Sequence, residues 1–166
     1  MTGVSGEVDL SLDAHGLRIA APVWAAGVAD AEARYPREAC GLGFGPPGAL
    51  TELVPVPNVQ DRLHAGDPAA HPRTARDAFA LDAQDVLRAL AEAEARGLGL
   101  RVIYHAHCDA GPHLSDLDAA TAALWPGVVQ VILSVIDGVF QAAAAYRPRP
   151  EGGFEAVRLW PPGPAG

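Results

Sequence analysis

The chain has 166 residues, a formal net charge of −8, 49% hydrophobic residues and 19% charged ones. That length suits one domain with a sizeable core, and that composition excludes a disordered chain. The acidic balance argues against a general nucleic-acid binder, which presents a basic face, and no apolar run is long enough to span a bilayer.

The stretch through Ile19 is polar with a short apolar run at its end, and reads as an edge strand. No basic segment leads into an apolar core there, so no secretory signal is expected. The two cysteines, Cys40 and Cys108, are then expected as reduced thiols in the cytosol; they make neither a four-cysteine zinc site nor a Cys-x-x-Cys pair. Pro22 opens a helix to about Arg34, with Trp24, Val28 and neighbouring alanines on one side, and Tyr35-Pro36 stops it. Ala39 to Gly45 is a glycine-laced strand ended by Pro46-Pro47-Gly48, and Leu50 to Val56 is its hairpin partner. Residues 57–77 are polar and proline-rich and read as a loop or mobile lid, with His64 and His71 solvated within it.

Phe79 to Leu81 reads as a short strand. Asp82 caps a helix to about Arg96, with Val86, Leu87 and Leu90 on its apolar face and Gly97 as its stop. A strand-forming run, Leu100 to Tyr104, leads into His105-Ala106-His107, and a loop from Cys108 to Leu114 precedes a helix from Ser115 to about Leu124. Val128 to Val135 reads as a buried strand, Asp137-Gly138 as a hairpin turn and Val139 to Tyr146 as the returning strand. A last strand, Phe154 to Trp160, precedes a Pro/Gly tail. The expected organisation is one domain over 1–160 with a tail at 161–166, and the expected fold class is α/β, a mixed sheet flanked by helices.

On a strand, alternate side chains share a face, so His105 and His107 project together and Ala106 points the other way. Catalytic zinc usually takes three protein ligands and leaves one position for water. The two histidines supply two ligands, and a carboxylate beyond the loop supplies a third. Each half also has a purely structural reading. Two strand-end histidines need no metal, and Ser115 with Asp118 forms a capping box that opens a helix. Both readings of Ser-x-x-Asp hold together, because a capped helix fixes Asp118 in its first turn. Cys108 is an alternative ligand, but its odd offset from His107 turns it away. Asp109, His113 and Asp116 lie nearby and are treated as loop residues.

These residues resemble a known family, the JAMM or MPN+ (Mov34/MPN/PAD-1) metalloproteases, and its compact bacterial members in particular. Pro36-Arg37-Glu38-Ala39-Cys40-Gly41 is similar to the family's Pro-x-Glu-x-Cys-Gly opening, followed in order by His105-x-His107 and Ser115-x-x-Asp118. The resemblance runs from the first helix to the paired strands after the last one. It implies the JAMM/MPN architecture, a layered α/β fold related in outline to the cytidine deaminases. It implies Zn²⁺ held by His105, His107 and Asp118, with Glu38 as general base toward a metal-activated water and Ser115 as hydrogen-bond donor to the oxyanion. The implied substrate is a ubiquitin-like protein, possibly a sulfur carrier, cut after its C-terminal Gly-Gly by peptide or isopeptide hydrolysis. Nucleic-acid and membrane partners are not expected, and the oligomeric state is open.

The extended Gly-Gly tail is expected along an exposed strand edge, with the glycine-rich segment after Glu38 as one wall of its groove. Two departures stand out: the family commonly has Ser between the histidines and Pro after them, where this chain has Ala106 and Cys108. Neither position is a ligand, but a proline would stiffen the loop. The alternative is a non-catalytic MPN-type interaction scaffold. A zinc deaminase would need His-x-Glu and Pro-Cys-x-x-Cys, which the chain lacks.

Overall fold

The computed structural model describes residues 7–10 and 17–157. In chain order the elements are β1 (Glu7–Leu10), β2 (Leu17–Ala20), α1 (Ala21–Arg34), β3 (Cys40–Gly45), β4 (Ala49–Leu50) and β5 (Glu52–Val56). There follow α2 (Gln60–Gly66), α3 (Ala83–Ala95), β6 (Gly99–Cys108), α4 (Asp116–Ala122), β7 (Val129–Ile136), β8 (Val139–Pro148) and β9 (Phe154–Val157). Six strands form a mixed sheet in the order β5-β3-β6-β7-β8-β9, in which only β6 and β7 run parallel. Parallel neighbours need a long crossover, and here the crossover carries α4. The site therefore sits at the carboxyl end of β6, where the chain leaves the sheet, as ligand sites in α/β sheets usually do.

Strand alternation divides the core between the two faces of this sheet. Val102, Tyr104 and Ala106 of β6 join Val129, Val131 and Leu133 of β7 against Trp24 and Ala31 of α1. Ile103 faces the other way and packs with Leu42, Phe44 and the α3 residues Val86, Ala89 and Ala93. His105 and His107 share the parity of Ile103, and Ala106, fully buried, points toward α1 as expected. Helix α3 starts where Asp82 accepts from the backbone N–H groups of Gln84 and Asp85, and it ends before Gly97 at φ +74°. The Asp137-Gly138 turn has φ of +49° and +80°, the twist that joins β7 to β8.

Several expectations change. The run ending at Ile19 is not at an edge, because β2 lies between β1 and β4 in a separate three-stranded sheet. The expected hairpin of β3 is formed by β5, while Ala49 and Leu50 leave to pair with β2. Leu87 is 66% exposed, since the buried stripe of α3 runs through Val86, Ala89 and Ala93 instead. Phe79 to Leu81 is no strand; Leu81 makes a single bridge to Asn58. The last strand is described to Val157, and residues 158–166 lie outside the described residues.

The glycines of β3 have a different purpose from the one expected. Strand β3 is paired on both sides, with β5 and β6, and so offers no edge to a substrate. A Cβ on Gly41 would lie 2.5 Å from the Tyr104 ring and 2.6 Å from the Val54 carbonyl oxygen, and one on Gly43 would strike Leu50. These glycines make room for the core. Residues 57–77, expected as a loop or lid, contain α2 and are tied to the sheet by Asn58. Its amide donates to the carbonyls of Glu38 and Ala78, and its oxygen accepts from the N–H groups of Gln60 and Ala80. Among the described residues, no helix is long and apolar enough to cross a membrane.

Candidate metal centre and cleft

The end of β6 brings two imidazoles to one point. His105 is 1% exposed and stacks on Phe79, with ring centroids 4.3 Å apart. His107 Nδ1 lies 2.8 Å from the Gly111 carbonyl oxygen. A carbonyl only accepts, so Nδ1 carries a proton and Nε2 is the atom that faces His105 and Asp118. Nε2 of His105 lies 3.1 Å from Nε2 of His107, and the two are 3.3 and 3.2 Å from Oδ1 and Oδ2 of Asp118. The loop chemistry after β6 completes the set.

Asp118 is oriented by its own helix. Ser115 is the N-cap of α4, and both halves of the capping box are present. The Ser115 hydroxyl donates to Asp118 Oδ2 at 2.6 Å, the Ser115 N–H donates to the same oxygen at 3.0 Å, and the Asp118 N–H donates to Ser115 Oγ at 3.1 Å. The one hydroxyl proton of Ser115 is thus committed to Asp118, and reaching a substrate oxygen requires the hydroxyl to rotate. Burial raises the Asp118 pKa, but hydrogen bonds from His105, His107 and Ser115 together outweigh it and hold the carboxyl far below its ordinary range. Burial pushes the His105 pKa down. For His107 burial acts the same way, yet the hydrogen bonds to Asp118 and Gly111 and the nearby Glu38 raise it overall.

These residues fit a metal. Bonds of about 2.0–2.1 Å to a tetrahedral zinc put ligand atoms roughly 3.3–3.4 Å apart, close to the separations seen here. With both rings neutral and their protons on Nδ1, the two Nε2 atoms and the Asp118 carboxylate direct three lone-pair donors at one point. Two imidazoles and a carboxylate are also a donor set that divalent transition metals accept. Among the described residues, His105, His107 and Asp118 are the group arranged to hold such an ion.

Glu38 stands across the cleft. It is 5% exposed, its N–H donates to the Ala75 carbonyl at 2.6 Å, and its own carbonyl accepts from Asn58. Burial drives its carboxyl from 4.5 up to about 8, with His107 and then Arg73 opposing and Asp118 and Asp77 adding to the rise. Glu38, His107, Ser115 and Asp118 line one cleft of about 170 Å³, together with Arg73, Arg76, Asp77, Cys108 and His113. The sequence brought forward the first four. It offered no signal for the arginines, which arrive on a polar segment, nor for Phe79, Asn58 and Gly111, which brace the site from loops.

The other candidates fall into place around it. Cys108 is outside the donor group but borders the cleft, its thiol pushed up to about 11 by burial and then by Glu38 and Asp109. Cys40 is fully buried, pushed up to about 12, and both cysteines are free. His64 bonds the His71 carbonyl and neither joins the site. Asp109 is held by the Tyr35 hydroxyl and the Asp137 N–H, Asp116 is exposed, and His113 meets the His107 ring edge-on at 5.4 Å. With Cys108 in place of the family's proline, the loop is stiffened by hydrogen bonds instead: Asp109 N–H to Val135, Ser134 to the Ala110 carbonyl and Tyr146 to the Pro112 carbonyl.

The sequence profile described as prokaryotic homologs of the JAB domain matches residues 20–147. Among solved structures, a protein from Desulfitobacterium hafniense superposes with a TM-score of 0.61 at 19% identity, covering 83% of this chain and 87% of that one. A protein from Salinibacter ruber gives 0.56 at 26% identity, covering 87% and 90%. A JAB1/MPN domain protein from Archaeoglobus fulgidus gives 0.50 at 14% identity, covering 78% and 85%. No curated protein matches.

Proposed function

The chain belongs to the family of prokaryotic homologs of the JAB domain, and from that premise we propose that it is a zinc-dependent peptidase or isopeptidase. Its substrate in this reading is a ubiquitin-like protein, sulfur carriers included, cut after the C-terminal glycines. The observation that carries the reading is one cleft lined by Glu38, Ser115, His107 and Asp118, the last two belonging with His105 to the donor set. When bound there, zinc supplies Lewis acidity, polarising a carbonyl and acidifying water.

The chain's own groups do the rest. The Glu38 carboxylate takes a proton from the attacking water and returns it to the leaving amine nitrogen. Its raised pKa suits a group that must both accept and release a proton near neutrality. Ser115 holds Asp118 in the resting site, and on rotation its hydroxyl donates to the developing oxyanion. Glycines before the cut, lacking side chains, let the scissile carbonyl reach the donor set.

Metal analysis paired with cleavage of ubiquitin-like Gly-Gly fusions tests this. Wild type carries about one zinc per chain. Glu38→Ala keeps the metal and loses turnover, and His107→Ala loses both. Unchanged cleavage by Glu38→Ala would sink the proposed mechanism. A protein without metal that cleaves no fusion would be a scaffold instead.

A further inference from the structure

Across the cleft from the donor set lie two arginines that the hydrolytic reading leaves unused. Arg76 belongs to a tight turn, Thr74 to Asp77, in which the Asp77 carboxylate accepts from the Thr74 N–H. That turn is fastened to the catalytic wall at the residue before Arg76. Buried Ala75 accepts from the Glu38 N–H at 2.6 Å and donates to Asp61 at 2.7 Å. Arg73 sits at the turn's other end, where its carbonyl accepts from Gln60. The backbone around both arginines is therefore fixed by hydrogen bonds, the one at Ala75 joining it to Glu38.

Neither makes an ion pair among the described residues. Other arginines of this acidic chain meet carboxylates: Arg37 with Asp61, Arg62 with Asp82, Arg88 with Asp85 and Arg96 with Glu52. Among the described residues, no carboxylate lies within ion-pair distance of Arg73 or Arg76. The polar contact of the Arg73 guanidinium is to the Asp77 backbone carbonyl at 3.4 Å. Both line the cleft with Glu38, His107 and Asp118. The acids near them act only at longer range, Arg73 lowering the Glu38 pKa and Arg76 that of Asp109, and each of these acids is buried or engaged elsewhere. Asp118 is bound to Ser115 and the histidines, Asp77 caps its turn, and Glu38 is buried. Two exposed guanidiniums without an ion pair, lining one cleft, suit a planar anion, above all a carboxylate, which a guanidinium grips bidentately.

We propose that Arg73 and Arg76 form a subsite that takes a carboxylate on the leaving side of the scissile bond. The proposal rests on the hydrolytic reading for its direction: glycines on the acyl side carry no charge, so the carboxylate belongs to the fragment released. Two sources share that chemistry, the α-carboxylate of a single released residue and the side chain of an Asp or Glu after the cut.

The test compares three fusions of one ubiquitin-like protein, each extended after Gly-Gly by alanine amide, by alanine with a free carboxylate, or by aspartate amide. The expected kcat/KM for at least one carboxylate substrate is about tenfold or more above the alanine amide, as one charged hydrogen-bonded contact supplies. Which of the two gains identifies the source. In Arg73→Ala/Arg76→Ala that ratio falls toward one, and Arg76→Lys restores part of it. A second arm needs no turnover. Binding of the peptides Gly-Gly-Ala and Gly-Gly-Ala amide to Glu38→Gln protein is followed by calorimetry, with a similar preference for the acid that the double arginine variant loses. Equal binding of acid and amide, together with no arginine-dependent gain for either carboxylate fusion, overturns the subsite. Failure to cleave any fusion, with an arginine-dependent preference intact in the binding arm, overturns the hydrolytic reading and upholds the subsite.

Discussion

Replacing Glu38 with glutamine should stabilise the metal-free protein at alkaline pH. The side chain is 5% exposed, and burial drives its carboxyl from 4.5 to about 8. Below pH 4.5 the group is protonated in both folded and unfolded chains and contributes no difference. Between 4.5 and 8 the unfolded chain has released a proton that the native state still holds, so stability falls as pH rises through that window and levels off above it. A displacement of that size costs the wild type on the order of 4–5 kcal/mol by pH 8.5. Glutamine has nearly the same shape and never ionises, so the variant escapes that loss. Urea unfolding of both proteins in the presence of chelator, from pH 4.5 to 8.5, measures it. The curves should nearly coincide at the acid end and diverge by several kcal/mol at the alkaline end, with the variant the more stable. A difference that stays flat across the range, or a wild type that gains on the variant as pH rises, refutes the reasoning.

Three further outcomes follow from particular contacts. Ser115→Ala removes the donor to Asp118 Oδ2 and one half of the capping box, so thermal unfolding should show a loss of about 1 kcal/mol, and metal titration an affinity lowered roughly 10–100-fold. Gly41→Ala drives a methyl against the Tyr104 ring and the Val54 carbonyl, and urea unfolding should report a loss of about 1–3 kcal/mol, because a backbone oxygen cannot swing aside. Asn58→Ala leaves four backbone groups without their partner, including the Glu38 carbonyl. It should cost on the order of 2–4 kcal/mol in the same assay and raise amide exchange across residues 57–81.

What could be read from the sequence was local chemistry. The alternation of His105, Ala106 and His107, the Ser115–Asp118 capping box, the Asp82 cap and the Asp137-Gly138 turn all depend on neighbours a few residues apart. The metal donors were legible for the same reason: two sit on one strand and the third in the first turn of the next helix. Glu38 was different. As one acid among many it carried no signal of its own, and only its place in the Pro-x-Glu-x-Cys-Gly pattern marked it. The rest was set by distant partners. The glycines of β3 are explained by Tyr104 and Leu50, the order of residues 57–77 by Asn58 reaching to Glu38 and Ala78, and the diversion of Ala49 and Leu50 by β2. Leu87 shows the same limit within a helix: a leucine in an amphipathic run points where the helix phase sends it, here into solvent.

The central claim is that hydrolysis at this cleft depends on a metal held by His105, His107 and Asp118. The most direct measurement is the initial rate of cleavage of a ubiquitin-like Gly-Gly fusion, taken before chelation, after chelator is added and removed, and after one equivalent of zinc is returned. The account predicts that the rate disappears with the metal and returns with zinc in wild type, while Asp118→Asn recovers little. A rate that survives complete removal of metal would contradict it.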